Sequence, residues 1–119
     1  MEKVIKIGDK EVKLRSSAAT YIKYRRVFKE DLFKTLQEMT KEIGEEGDIP
    51  DGAVAVLLQA AYIMAGQADP KLTNDIDTWL EQFELMDTVN GIQGVFEMLM
   101  GDQGTIDESK KKKDQLSEK

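Results

Sequence analysis

Two short apolar runs lie at the start of the chain, on either side of the turn-forming cluster Gly8-Asp9-Lys10. The apolar residues of these runs are Val4, Ile5, Ile7, Val12 and Leu14. A turn cluster between two such runs predicts a β-hairpin at residues 3–14. Because an isolated hairpin is only marginally stable, we expect this one to lie against helices.

Apolar positions with helical spacing follow in two segments. Ser16-Ser17 can cap a helix from about Ala18 to Phe28, because a serine hydroxyl accepts hydrogen bonds from the unpaired N–H groups of a first turn. Its predicted apolar face consists of Tyr21, Ile22 and Phe28. The second helix is predicted from Asp31 to about Ile43, with an apolar stripe of Leu32, Leu36, Met39 and Ile43 that Phe33 widens.

The segment from Ala53 to Ala65 is apolar nearly all round, which predicts a buried central helix that ends at Gly66. The segments Gly44–Pro50 and Gln67–Thr73 have loop composition. Two more helices are predicted: one capped by Asn74 or Asp75 with Ile76, Trp79, Leu80 and Phe83 on its face, and a last one with Ile92, Val95, Phe96 and Leu99.

The predicted fold class is mainly α: a small helical domain of about five helices with an N-terminal β-hairpin and a flexible C-terminal tail. The helical domain spans residues 1–100. The tail spans residues 101–119, where the composition becomes polar and charged. Residues 1–6 lack the apolar stretch of a signal peptide, and the longest apolar run, Ala53–Leu58, is too short to span a bilayer, so we expect an intracellular protein.

The chain contains neither cysteine nor histidine, the two side chains used most often for nucleophilic attack and proton transfer near neutral pH. Gly91-Ile92-Gln93-Gly94 is too sparse for a glycine-rich phosphate fingerprint. We therefore predict a protein that is not an enzyme and has no catalytic, cofactor or metal site. A cation site at Asn74, Asp75 and Asp77 is the alternative, but acidic residues at a helix start usually act as caps.

Charge is divided unevenly along the chain, whose formal net charge is −6. Residues 1–41 contain 11 Lys and Arg against 6 Asp and Glu, whereas residues 42–100 contain 1 against 12. Such a division can be balanced within the fold, which we favour, or presented to opposite partners and to copies of the same chain.

Two groups of residues are candidates for binding a partner. Lys23, Arg25, Arg26 and Lys29 alternate with Tyr21, Tyr24 and Phe28, a combination that can bind nucleic acid or form a solvated face. Leu85 lies away from the predicted stripe of the preceding helix, and Met98 and Met100 flank the stripe of the last helix. These three form either an adaptable apolar surface or the edge of the core. The predicted partner-binding residues are Tyr24, Arg25, Arg26, Leu85, Met98 and Met100.

The order of four stretches resembles the tail assembly chaperones of long-tailed bacteriophages that infect Gram-positive bacteria. The stretches are the Ile5–Glu11 hairpin, the segment Ser16–Leu32 containing Tyr24-Arg25-Arg26-Val27-Phe28-Lys29-Glu30-Asp31-Leu32, the apolar helix from Ala53, and Trp79-Leu80-Glu81-Gln82-Phe83 followed by a final helix. Together they lie within residues 3–100. Lys29 departs from the glycine expected after the phenylalanine.

The resemblance implies a homo-oligomeric protein of the host cell cytoplasm, absent from the mature virion, that binds the tape measure protein until tail tube subunits polymerise around it. It also implies a longer form, made by ribosomal frameshifting, that binds the major tail tube protein. Lys110 to Lys113 are encoded by A-rich codons of the kind at which ribosomes slip. The alternative function is a small helical nucleic-acid-binding regulator; neither a cofactor nor a membrane is expected as a partner.

Overall fold

A computed structural model describes the backbone of residues 1–42, 52–72 and 75–117, and the side chains of residues 1–41, 52–72 and 75–101. The described residues form two strands and five helices: β1 (Glu2–Ile7), β2 (Lys10–Arg15), α1 (Ala18–Phe28), α2 (Leu32–Glu42), α3 (Ala53–Ala68), α4 (Ile76–Leu80) and α5 (Leu85–Ser117). The predicted fold class is confirmed. The predicted loop at Gly44–Pro50, the stripe position Ile43 and the alternative cap Asn74 lie outside the described residues.

The hairpin is an antiparallel pair with Ile5 opposite Val12 and Ile7 opposite Lys10. Its turn is Gly8-Asp9, and Gly8 adopts a φ of +67°, a conformation that glycine tolerates and other residues rarely adopt. Residues directly opposite one another share a face, so the apolar residues gather on one side of the sheet. Ile5, Ile7 and Leu14 are buried there against α3 and α5.

Helix α1 begins with the predicted cap. The Ser17 hydroxyl accepts a hydrogen bond from the Ala19 N–H at 3.2 Å, and the Thr20 hydroxyl accepts one from the Ser17 N–H at 3.0 Å, which completes a capping box. At the other end Lys29 is left-handed, with φ 63°, and its N–H donates to the Arg25 carbonyl at 2.8 Å. Lys29 therefore adopts the left-handed conformation that glycine usually adopts at the end of a helix, so the chain turns there without a glycine.

Helix α1 is turned differently from its predicted face, and one predicted member of the α2 stripe lies outside the core. Ile22 is 60% exposed and Phe33 is 43% exposed, so both predictions of burial are wrong, whereas Thr20 and Tyr24 are buried. Contacts to α3 set the rotation of α1: the Thr20 hydroxyl donates to Gln67 Oε1 at 2.6 Å, and the Tyr24 hydroxyl donates to Gln59 Oε1 at 2.9 Å. The α2 stripe is confirmed at Leu32, Leu36 and Met39.

Helix α3 is the buried central helix that its composition predicts, with Ala60, Ala61 and Met64 fully enclosed. It does not end at Gly66, as predicted, but continues to Ala68. Asp69 is extended, with φ −130° and ψ 94°, because the ring of Pro70 excludes helical geometry from the residue before it. The proline therefore ends the helix, and Gly66 lies within it.

Helix α4 is short and begins at Asp75, which confirms one of the two predicted caps. It places Trp79 between the rings of Tyr62 and Phe83, at centroid distances of 5.7 and 5.1 Å. Helix α5 runs on through residues 101–117 of the segment predicted as a tail, whose flexibility stays a prediction. Among the described residues, none of the helices combines the length and the apolar character needed to cross a membrane.

Two glycines of α5 let β1 approach this helix closely. A Cβ at Gly91 would lie 2.9 Å from Ile7 Cγ1, and a Cβ at Gly94 would lie 3.2 Å from Ile5 Cγ2. Nearer the helix start, a Cβ at Gly8 would overlap the Asp87 carboxylate. We call the Gly91 and Gly94 contact the glycine seat, because the side chains of Ile5 and Ile7 pack there against α5 where the helix has no side chain of its own.

Candidate functional site

The six predicted partner-binding residues divide between the surface and the core. Arg25, Arg26 and Leu85 are exposed, and Met100 is partly buried with its sulfur 3.7 Å from the Thr40 hydroxyl. Tyr24 and Met98 are 0% and 2% exposed. The prediction that these two form a contact surface is wrong, because α1 and α5 turn them towards α3 and the hairpin.

Tyr24 is a core residue with a single polar connection. Its ring lies 4.8 Å from that of Phe28, and its hydroxyl donates to Gln59. Burial raises the pKa of Tyr24 to about 12, and the negative charge of Glu30 contributes in the same direction. The Tyr24 phenol therefore stays neutral to a higher pH in the folded chain than in the unfolded chain.

We expect the free energy of unfolding to fall between about pH 10 and pH 12, because in that window Tyr24 ionises in the unfolded chain but stays neutral in the folded one. The contribution is fully present below pH 10 and amounts to roughly 2–3 kcal/mol. Chemical unfolding at a series of pH values measures it. Tyr24→Phe is the matched control, and a wild-type decline no steeper than that of the variant would contradict the assignment.

An acidic ridge lies at the start of α5. We define it as Glu84, Leu85, Met86, Asp87 and Val89. Leu85 is 73% exposed and Met86 is 64% exposed, and Val89 follows one turn after Leu85 on the same side of the helix. Single exposed apolar residues are ordinary, but three adjacent ones beside carboxylates form a surface suited to another protein.

A basic groove lies between α1 and α3. Its lining residues are Lys23, Arg26, Val27, Tyr62, Ile63 and Leu72. The depression holds about 310 Å³ and adjoins a second one of about 520 Å³ that shares Lys23 and Gly66 and adds Arg15. The floor is mainly apolar and the rim is cationic, so the groove suits a partner that is apolar and acidic at once.

The two charged parts of the chain do not form ion pairs with each other among the described residues. The single salt bridge in that part of the structure joins Lys13 to Glu2 at 3.7 Å, and both residues belong to the hairpin. The internal balance of charge that we favoured from the sequence is thus not made by direct contacts there. Within the described residues, the cations of α1 and the carboxylates around α4 and α5 form no ion pair.

The aromatic residues of α1 do not offer bases a stacking platform. Tyr24 is enclosed, and the ring of Tyr21 lies 6.3 Å from that of Phe33, in an edge-to-face arrangement. Single-stranded nucleic acid is bound by cations together with exposed ring faces. In the described structure, two of the rings that alternate with the α1 cations are thus packed against other residues, which weakens the alternative of a nucleic-acid-binding regulator.

Asp75 has a structural role at the start of α4. Its carboxylate accepts a hydrogen bond from the Thr78 N–H at 3.2 Å. Interactions with Thr78, through the side chain and then the backbone N–H, hold the pKa of Asp75 below its usual range. These contacts are those of a helix cap, and within the described residues no three acidic side chains converge as metal ligands do.

Comparison with known proteins gives no relative from which a role could be transferred. No family model matches the chain, and neither a curated protein nor a solved structure shows a significant match. The class that the fold defines is a mainly helical domain with an N-terminal β-hairpin. Its function has to be argued from its surfaces.

Proposed function

We propose that the chain is a tail assembly chaperone of a long-tailed bacteriophage or prophage, a protein without enzymatic activity that binds the tape measure protein. It then helps recruit tail tube subunits, through a longer form made by frameshifting near Lys110 to Lys113. The order of the four stretches in the sequence supports this proposal. A stop codon immediately after the lysine codons in the −1 reading frame would contradict the longer form.

The observation that carries the proposal is the exposure of large apolar side chains at more than one place on a well-packed domain. One such place is the acidic ridge on α5; another is the α1–α2 face, where Ile22 and Phe33 are exposed and Tyr21, next to Ile22, contacts the ring of Phe33. A protein that coats a long client in many copies needs one surface for the client and another for its neighbours.

We assign the client to the α1–α2 face. Ile22 and Arg25 lie one turn apart on α1, and Tyr21 beside them contacts Phe33 through its ring. An amphipathic client helix would bury its apolar stripe on Ile22 and Phe33 and place acidic side chains near Arg25. Arg25 is one of the residues that the sequence predicts to bind a partner.

Co-expression with the candidate tape measure protein, followed by size-exclusion chromatography with light scattering, tests the proposal. We expect a soluble complex with several copies of this chain on each client molecule. The double variant Ile22→Asp and Phe33→Asp should lose the client, because both side chains are exposed and the substitutions place carboxylates on the proposed contact. Val4→Asp is the matched control, since Val4 is equally exposed but lies on the hairpin.

An insoluble client beside a free chain would overturn the chaperone function. Retention on DNA that is lost as salt rises would instead favour the nucleic-acid-binding regulator, since phosphate contacts are screened by salt. In that case Arg25→Glu and Arg26→Glu would weaken retention, whereas the uncharged double variant Ile22→Gln and Phe33→Gln would not.

A further inference from the structure

The acidic ridge does not occupy the basic groove of its own chain. Leu85 and Met86 are largely exposed, and Val27 at the groove is exposed as well. None of Lys23, Arg26, Glu84 and Asp87 forms a salt bridge with another described residue. Among the described residues, neither surface is covered by the other, and the two are chemically matched, so they are suited to meet between two copies of the chain.

The charges on the two sides are opposite and of equal number. Residues 12–29, which include the α1 side of the groove, contain six Lys and Arg and no Asp or Glu. Residues 75–100, which include the ridge, contain six Asp and Glu and no Lys or Arg. Two copies brought together through these segments attract each other, whereas contacts between two ridges or two grooves repel.

Both surfaces combine apolar side chains with charged ones. Leu85 and Val89 project from one side of α5 with Met86 beside them, and Glu84 and Asp87 flank Leu85 and Met86 in the sequence. The groove presents Val27, Ile63 and Leu72 between the cations Lys23 and Arg26. An apolar centre with a charged rim on each side is the usual anatomy of a protein interface.

We propose that the acidic ridge of one copy docks into the basic groove of the next, in a head-to-tail contact between identical chains. This contact is heterologous, because the two partners use different surfaces, so each bound copy still has a free ridge or a free groove. The chain therefore forms rings or open linear assemblies. The contact does not rest on the proposed function, since it involves no client.

Sedimentation velocity of the purified chain, over concentrations from about 10 to 500 µM at low salt, tests the contact. We expect assemblies larger than dimers that dissociate as salt rises. Arg26→Glu in the groove and the double variant Leu85→Gln and Met86→Gln on the ridge should each weaken association at least tenfold. Lys6→Glu is the matched control, because Lys6 is an exposed cation of the hairpin that does not line the groove.

Mixing the two deficient variants separates this contact from a symmetric one. The Arg26→Glu chain keeps its ridge and the ridge variant keeps its groove, so the mixture should form a one-to-one dimer that grows no further. A wild-type chain that stays monomeric throughout, or a groove variant that still associates with itself, would overturn the proposal. Thermal unfolding of each variant serves as the control that the fold is unchanged. Client binding is measured in a different experiment, with the double variant Ile22→Asp and Phe33→Asp, so the two proposals can fail independently.

Discussion

Met98→Asp is expected to unfold the domain or to leave it barely stable, whereas Leu85→Asp on the same helix leaves it folded. Met98 is 2% exposed and packs in the core with Val95 and Leu99. An unpaired carboxylate buried at that position costs about 4 kcal/mol or more, a large fraction of the stability of a domain of this size.

Leu85→Asp is the matched control, because it makes the same change of side chain on the same helix. Leu85 is 73% exposed and is the first residue of α5, where an acidic side chain interacts favourably with the helix dipole. We expect a change of no more than about 0.5 kcal/mol. Urea unfolding followed by circular dichroism, at a protein concentration low enough to keep the chain monomeric, measures both; equal effects would place Met98 on the surface and contradict the packing of α5.

Gly91→Ala is expected to lower the free energy of unfolding by about 1–2 kcal/mol, although alanine is the better helix former. The new Cβ would lie 2.9 Å from Ile7 Cγ1 and 3.3 Å from the Lys6 carbonyl oxygen, so the hairpin must move away from α5. Gly66→Ala within α3 is the control, because its Cβ would meet no atom within 4 Å. That variant should be more stable by up to about 1 kcal/mol.

A double-mutant cycle separates the steric effect from the others. In an Ile7→Ala background the Ile7 Cγ1 atom is absent, so Gly91→Ala should be less damaging there than in the wild type. Both effects are read from urea unfolding. Stabilisation by Gly91→Ala comparable to that at Gly66 would show that β1 does not lie as close to α5 as the glycine seat requires.

Local signals in the sequence predicted most of the secondary structure. The α1 bounds follow from the Ser17 cap and from a chain reversal at Lys29, and the hairpin follows from two apolar runs around Gly8-Asp9. The burial of α3 follows from its lack of a polar face. These features depend on neighbours along the chain, which the sequence displays directly.

Tertiary contacts decided the features that the sequence did not predict. Tyr21 to Phe28 contains apolar and aromatic residues on several sides, so its buried face was decided by the hydrogen bonds of Thr20 and Tyr24 to α3. The Gly91 and Gly94 pair was weighed only as a phosphate fingerprint, and its role became visible once β1 lay beside it. The groove combines α1, α3 and Leu72, which no local pattern connects.

Among the predicted binding residues, a position outside the apolar stripe of a helix was the signal from which exposure was predicted. It predicted the exposure of Leu85, which the structure confirms, whereas the role of Leu85 in binding stays a prediction. It failed for Met98, which lies three residues after Val95 and one before Leu99, and thus within the width of the buried face. The exposed Leu85 and the buried Met98 thus differ in their angular position around α5 relative to the buried face.

The glycine seat also fixes the direction in which the ridge points. Ridge residues 84–89 and the seat at Gly91 and Gly94 belong to consecutive turns of α5, and Gly8 of the hairpin contacts Asp87 of the ridge itself. The two-stranded sheet therefore packs along the first turns of α5 and holds them in place. A surface held in this way loses little conformational entropy on binding, so the hairpin preorganises the ridge for the contact that we propose.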